Sequence, residues 1–173
     1  MFKSIHQQSG LSLIEVMVSV MILGLGLLGL AALQTRSVMM NQSAYYRSIA
    51  ADLAAELSDR IRANRTPFLA STDAEIPVPL PPDFSKCVQN SANNDNVDCT
   101  AQTSGVESYL VSTEMTNWNQ FLRSQLPGAT FTLEQAPGQS TGFYRYTLKI
   151  SWIDNRSASS VASQKTIYST VIE

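Results

Sequence analysis

Glu15 is the residue whose type and place in this chain call for chemistry. It follows Gly10-Leu11-Ser12-Leu13-Ile14 and precedes 18 residues, Val16 to Leu33, that hold no charge and no proline, with Ser19 the one polar side chain. Counted from Leu11, the apolar segment is 23 residues long and Glu15 is its single charge. A carboxylate left charged and alone in hydrocarbon costs a few kcal/mol, so a residue kept there needs a partner. The rest of the chain offers little that is reactive. His6 is the only histidine and lies before Gly10, which leaves no Ser-His-Asp or Cys-His nucleophile and no His-bearing zinc site beyond it. Two cysteines alone do not make a structural metal site, and no glycine-rich phosphate loop follows a strand. Glu114 and Glu134 form a pair only in the sense that any chain with 14 acids contains one. These residues predict no enzyme and no cofactor.

The element that must hold Glu15 is a helix. Twenty-three residues at about 1.5 Å each match a bilayer core of about 30 Å. A secretory signal fits poorly, because Lys3 is the only early basic residue, the apolar region is too long and Leu30-Ala31-Ala32-Leu33 is a weak cleavage site. A plain anchor fits the length and leaves Glu15 unexplained. Beyond the span, Gln34 to Arg65 contains neither Gly nor Pro. Tyr46, Ile49, Ala50, Leu53, Ala54, Leu57 and Ile61 recur at steps of three and four, one apolar face of a helix. Glu56 with Arg60 and Asp59 with Arg62 are spaced to pair on the wet face. Pro67 is predicted to close the element, with Thr66 extended. A continuous helix from Leu11 to about Arg65 would be roughly 80 Å long.

Residues 66–106 read as irregular. Ile76-Pro77-Val78-Pro79-Leu80-Pro81-Pro82 lacks donors and is predicted to lie extended over the surface. Cys87 and Cys99 flank a polar loop rich in Asn, and in an exported domain they read as one disulfide, with two free thiols as the alternative. A short helix is predicted next, with Ser112 or Thr113 as N-cap, Glu114 in its first turn, and Trp118, Phe121, Leu122 and Leu126 on one face. Pro127-Gly128 ends it. Thr130 to Leu133, the stretch from Tyr144 to Trp152, and Thr166 to Ile172 alternate with period two and predict an antiparallel sheet with one wet side. The net charge is −2 and the basic residues are scattered, so no nucleic-acid footprint is visible.

The leader ending in Gly10 and the run Leu11-Ser12-Leu13-Ile14-Glu15-Val16 resemble the class III signal of type IV prepilins. The resemblance implies cleavage between Gly10 and Leu11 by a prepilin peptidase, N-methylation of Leu11, and Glu15 as the fifth mature residue, the one that governs assembly. Leu11 departs from the family's usual phenylalanine. Gly26-Leu27-Leu28-Gly29-Leu30-Ala31, the cysteine loop, the Trp118 to Leu126 helix and the strand ending in Ile150-Ser151-Trp152 are together similar to the type IV pilus modification protein (PilV) family of minor pilins. That similarity is strict only over the first 30 residues or so.

The expectation is an α+β, pilin-like fold, a long N-terminal helix packed on a C-terminal antiparallel sheet. Residues 1–10 would be the leader, 11–33 the transmembrane half of the helix, 34–65 its amphipathic half, and 66–173 the head. The implied partners are other minor pilins, the major pilin, the prepilin peptidase and the inner-membrane assembly machinery. The implied place is the inner membrane, with the head in the periplasm, and then the pilus. Two other readings share part of this pattern: a minor pseudopilin of a type II secretion system, and a single-pass periplasmic ligand-binding protein.

Overall fold

The computed structural model describes residues 12–69, 81–100, 108–138, 144–154, 160 and 164–173. Its first element is a single helix, α1 (Leu13–Leu69), of 57 residues. The predicted end at Arg65 is wrong: the helix passes Thr66 and Pro67. Proline costs most in a helix interior, where its missing N–H breaks the ladder and its ring meets the preceding turn. At residue 67 the bond to the Ala63 carbonyl is still lost, but the helix ends at Leu69, so little of the ladder follows the break. Asn64 also donates its side-chain N–H to the Arg60 carbonyl at 2.8 Å, so one late carbonyl gains a second donor.

The chain divides into two compact units, Met1–Gln42 and Ser43–Glu173. In the first, none of the described residues is buried. In the second, Ala50, Leu53, Ala54, Leu57 and Ile61 of α1 are buried, and these are the positions that the three-and-four spacing selects.

The second helix, α2 (Ser108–Gln125), begins earlier than the spacing predicts. Ser112 and Thr113 are interior residues, not caps, because Val111 and Met115 extend the buried face one turn further back, through Trp118, Leu122 and Leu126. Phe121 does not share that face and is 46% exposed. At 100° per residue it falls outside the buried arc, and Asn119 occupies the inward position instead, fully buried. Leu126-Pro127-Gly128 then turns the chain. Gly128 has φ +63°, a conformation that favours glycine, and a side chain there would also have to push aside the end of the Ile153 side chain, 2.8 Å away.

Residues 81–100, predicted irregular, contain a small hairpin. A 3-10 turn at Phe84–Lys86, capped by Asp83, leads into β1 (Cys87–Gln89), which pairs antiparallel with β2 (Val97–Cys99). Pro81 and Pro82 are buried rather than spread on the surface; residues 76–80 lie outside the described part.

The main sheet is three-stranded and antiparallel, β3 (Thr130–Gln135), β4 (Tyr146–Ile153) and β5 (Lys165–Ile172), in that order. Tyr146, Leu148, Ile150 and Trp152 point inward and are fully buried. Tyr144 sits just before the strand, half-buried against the core. Trp118 and Phe131 meet edge to face at 5.1 Å and 80°, and the Trp118 indole N–H donates to the Leu53 carbonyl at 2.9 Å. Together these contacts tie α1, α2 and the sheet into one core. Each large side chain buried there is worth about 1.5–3 kcal/mol against exposure. The architecture is α+β and pilin-like.

Candidate functional site

Ser12 starts the helix: its carbonyl accepts from the N–H groups of Glu15 at 3.0 Å and Val16 at 3.3 Å. Glu15 therefore sits in the first turn of α1, where the helix dipole favours an anion. Its side chain is exposed, and among the described residues nothing pairs with its carboxylate. The apolar side chains on either side are exposed too: Ile14 is 68% and Met17 62% accessible. Two hydroxyls in this stretch turn inward. Ser19 donates to the Glu15 carbonyl at 2.7 Å and Thr35 to the Ala31 carbonyl at 3.0 Å. Both spend their polarity on the helix itself. Helix α1 is long and apolar enough near the N-terminus to cross a membrane, and none of its apolar window is buried.

Gly10 and Leu11 lie outside the described residues. The signal itself is found by comparison. The chain carries the prokaryotic N-terminal methylation motif. The match runs over residues 5–31 and includes Gly10, Leu11 and Glu15. No curated protein and no solved structure matches the chain. The motif marks type IV pilin-like and pseudopilin-like proteins, and with the exposed apolar helix behind it, it fits a membrane-anchored protein of that kind.

The second pair of chemistry-bearing residues is brought together by the hairpin. Cys87 and Cys99 form a disulfide at a Cα–Cα distance of 4.0 Å. Thr100 N–H donates to the Lys86 carbonyl at 3.0 Å, so the cysteines face each other at the pair between hydrogen-bonded rungs, where strands approach most closely. Of the two cysteines, Cys87 is buried and packs in the core.

A third cluster was only half visible in the spacing. Arg60 pairs with Glu56 at 2.6 Å as the four-residue step predicts. Glu114 is no solvated bystander: it reaches the same guanidinium from α2, 54 residues away. The hydrogen bond to Glu56 outweighs partial burial and, with Glu114 in support, raises the Arg60 pKa above its already high ordinary value. This cluster braces two helices. Its carboxylates are both held by one cation, an arrangement that suits a brace and not acid–base chemistry. Among the described residues, no group of three or more His, Cys, Asp or Glu is placed to hold a metal ion.

Proposed function

We propose that this chain is a minor pilin of a type IV pilus, related to the PilV family, that helps to start pilus assembly. The observation that carries the reading is the register of three features: the methylation motif over residues 5–31, the helix that begins at Leu13, and an exposed carboxylate at Glu15 with no partner among the described residues. On this reading residues 1–10 are a leader removed by a prepilin peptidase and Leu11 becomes a methylated N-terminus. Residues 11–33 lie in the inner membrane, 34–65 continue the helix outside it, and 66–173 form a periplasmic head. The disulfide suits an oxidising compartment. The partners are other minor pilins, the major pilin and the inner-membrane assembly machinery.

Glu15 then has a stated task. Cleavage creates a cationic amine at Leu11, and each charge is expensive alone in hydrocarbon. Pairing Glu15 with an amine or another polar group on a neighbouring subunit removes that cost and sets the axial register.

The test has two readouts. Mass spectrometry of the mature protein should find Leu11 at the N-terminus, and Gly10→Val should leave a precursor heavier by the ten-residue leader. Glu15→Ala should still insert and still be cut, yet copurify with other minor pilins at most weakly. A mature N-terminus at Met1 or near Ala32 would sink the processing step. Normal copurification and normal piliation with Ala at position 15 would remove the assembly role. A deletion that spared pili and impaired type II secretion would move the chain to the pseudopilin class.

A further inference from the structure

The two halves of the disulfide lie in different surroundings. Cys87 is 1% exposed and belongs to the core of the head, whereas Cys99 is half-buried and packs against that core from outside. They are the only cysteines in the chain. A reagent that reaches this bond from solvent therefore meets the Cys99 side first.

The hairpin that carries them is also held by bonds that need no sulfur. Backbone pairing frames the cysteines: the Thr100 N–H donates to the Lys86 carbonyl and the Asn90 N–H to the Asn96 carbonyl, both at 3.0 Å. Gln89 donates its side-chain N–H groups to the Asn94 carbonyl at 2.8 Å and to the Asn119 side-chain oxygen at 3.0 Å. Its own side-chain oxygen accepts from the Phe131 N–H at 3.2 Å, which ties β1 to β3. On the far side of the loop, Asn119 donates to the carbonyls of Asn94 and Asp95, and Arg123 pairs with Asp95. The register that sets Cys87 opposite Cys99 thus has supports along its whole length.

We propose that the head folds first and that its disulfide is then made through Cys99, the exchange site for an oxidant that carries a reactive disulfide of its own. The Cys99 thiolate attacks one sulfur of that oxidant, forming a mixed disulfide and expelling the other sulfur as a thiolate. The Cys87 thiolate then attacks the Cys99 sulfur and releases the oxidant's second thiolate. The chain loses two electrons and two protons in all, and the oxidant gains them as a dithiol. Burial shields Cys87 from a bulky partner, while its register keeps it within reach of Cys99, so Cys87 resolves the mixed disulfide. In reverse, Cys99 is the sulfur at which a reducing dithiol opens the bond, with Cys87 as the leaving group. This chemistry belongs to the head and stands whether or not the chain is a pilin.

The test starts from the full-length chain in detergent, reduced with dithiothreitol and then freed of it under argon. The reduced chain should keep the near-ultraviolet signal of Trp118 and Trp152, both fully buried in the head. With limiting N-ethylmaleimide, peptide mass spectrometry should find Cys99 labelled roughly tenfold faster than Cys87, and guanidinium should abolish the difference. Glutathione disulfide then reads the exchange itself. In Cys87→Ala it should leave a stable glutathione adduct on Cys99, and in Cys99→Ala it should leave Cys87 largely unmodified. The unsubstituted chain should close its bond with no lasting adduct. Loss of the tryptophan signal on reduction overturns the order, since the bond would then be needed for the head to pack. Equal labelling of the two thiols in the native reduced chain, or faster labelling of Cys87, overturns Cys99 as the exchange site, and that arm depends on no substitution.

Discussion

Two ionisable side chains in this protein sit in opposite situations. Glu15 is a carboxylate set among exposed apolar residues, where none of the described residues pairs with it. Tyr146 is a phenol sealed in the core, where its oxygen accepts from the Phe84 N–H at 3.1 Å. Burial pushes the Tyr146 pKa well above its ordinary value of 10.0, and the nearby Asp83 carboxylate adds to the rise. The folded state thus holds this proton more tightly than the unfolded one. Its contribution to stability is complete below about pH 10 and is lost as the pH climbs above that, because the unfolded phenol ionises first. Denaturant unfolding should therefore show the domain weakening between neutral pH and about 11, and Tyr146→Phe should flatten that loss. The same variant leaves the buried Phe84 N–H without its acceptor and should cost about 1–3 kcal/mol at neutral pH. An unchanged alkaline slope in Tyr146→Phe would assign the loss to other groups.

Among the elements, the hairpin β1–β2 depends most on its neighbours. Three-residue strands are too short to stand alone. The disulfide closes one end, and α2 holds the other through Asn119. That buried amide donates to the carbonyls of Asn94 and Asp95 at 2.9 and 3.0 Å and accepts from Gln89 at 3.0 Å. Arg123, one turn further on, pairs with Asp95. Asn119→Ala should cost about 1–3 kcal/mol, because loop carbonyls lose their donor where water enters poorly. Hydrogen exchange should quicken over residues 89–98 while β4 stays protected. Uniform quickening across the whole head would mean that Asn119 serves the core at large and not the hairpin.

At the level of the molecule, burial is one-sided. Every buried residue among those described belongs to the unit Ser43–Glu173, and none to residues 12–42. The first stretch therefore contributes no core to the second. A fragment of residues 43–173 should fold with a single cooperative thermal transition and the near-ultraviolet signal of packed Trp118 and Trp152. A fragment without that signal would show that the N-terminal stretch is needed for the head to pack.

Local patterns were enough to identify much of this protein. The unbroken run from Val16 to Leu33, the carboxylate ahead of it and the glycine before that are a matter of type and register, so the motif is legible with no fold in hand. The same holds for the buried stripe of α1 and for β4, where periods of 3.6 and 2 reveal which face is inward. Tertiary structure decided what depends on residues far apart in the chain. Phe121 turns outward while Asn119 turns in, Glu114 reaches across to Arg60, and the cysteine loop becomes a hairpin pinned to α2. The physical reason is common to all three. Propensity and spacing weigh contributions of a kcal/mol or less, whereas a buried amide or a shared guanidinium is settled by partners that only the folded chain brings within reach.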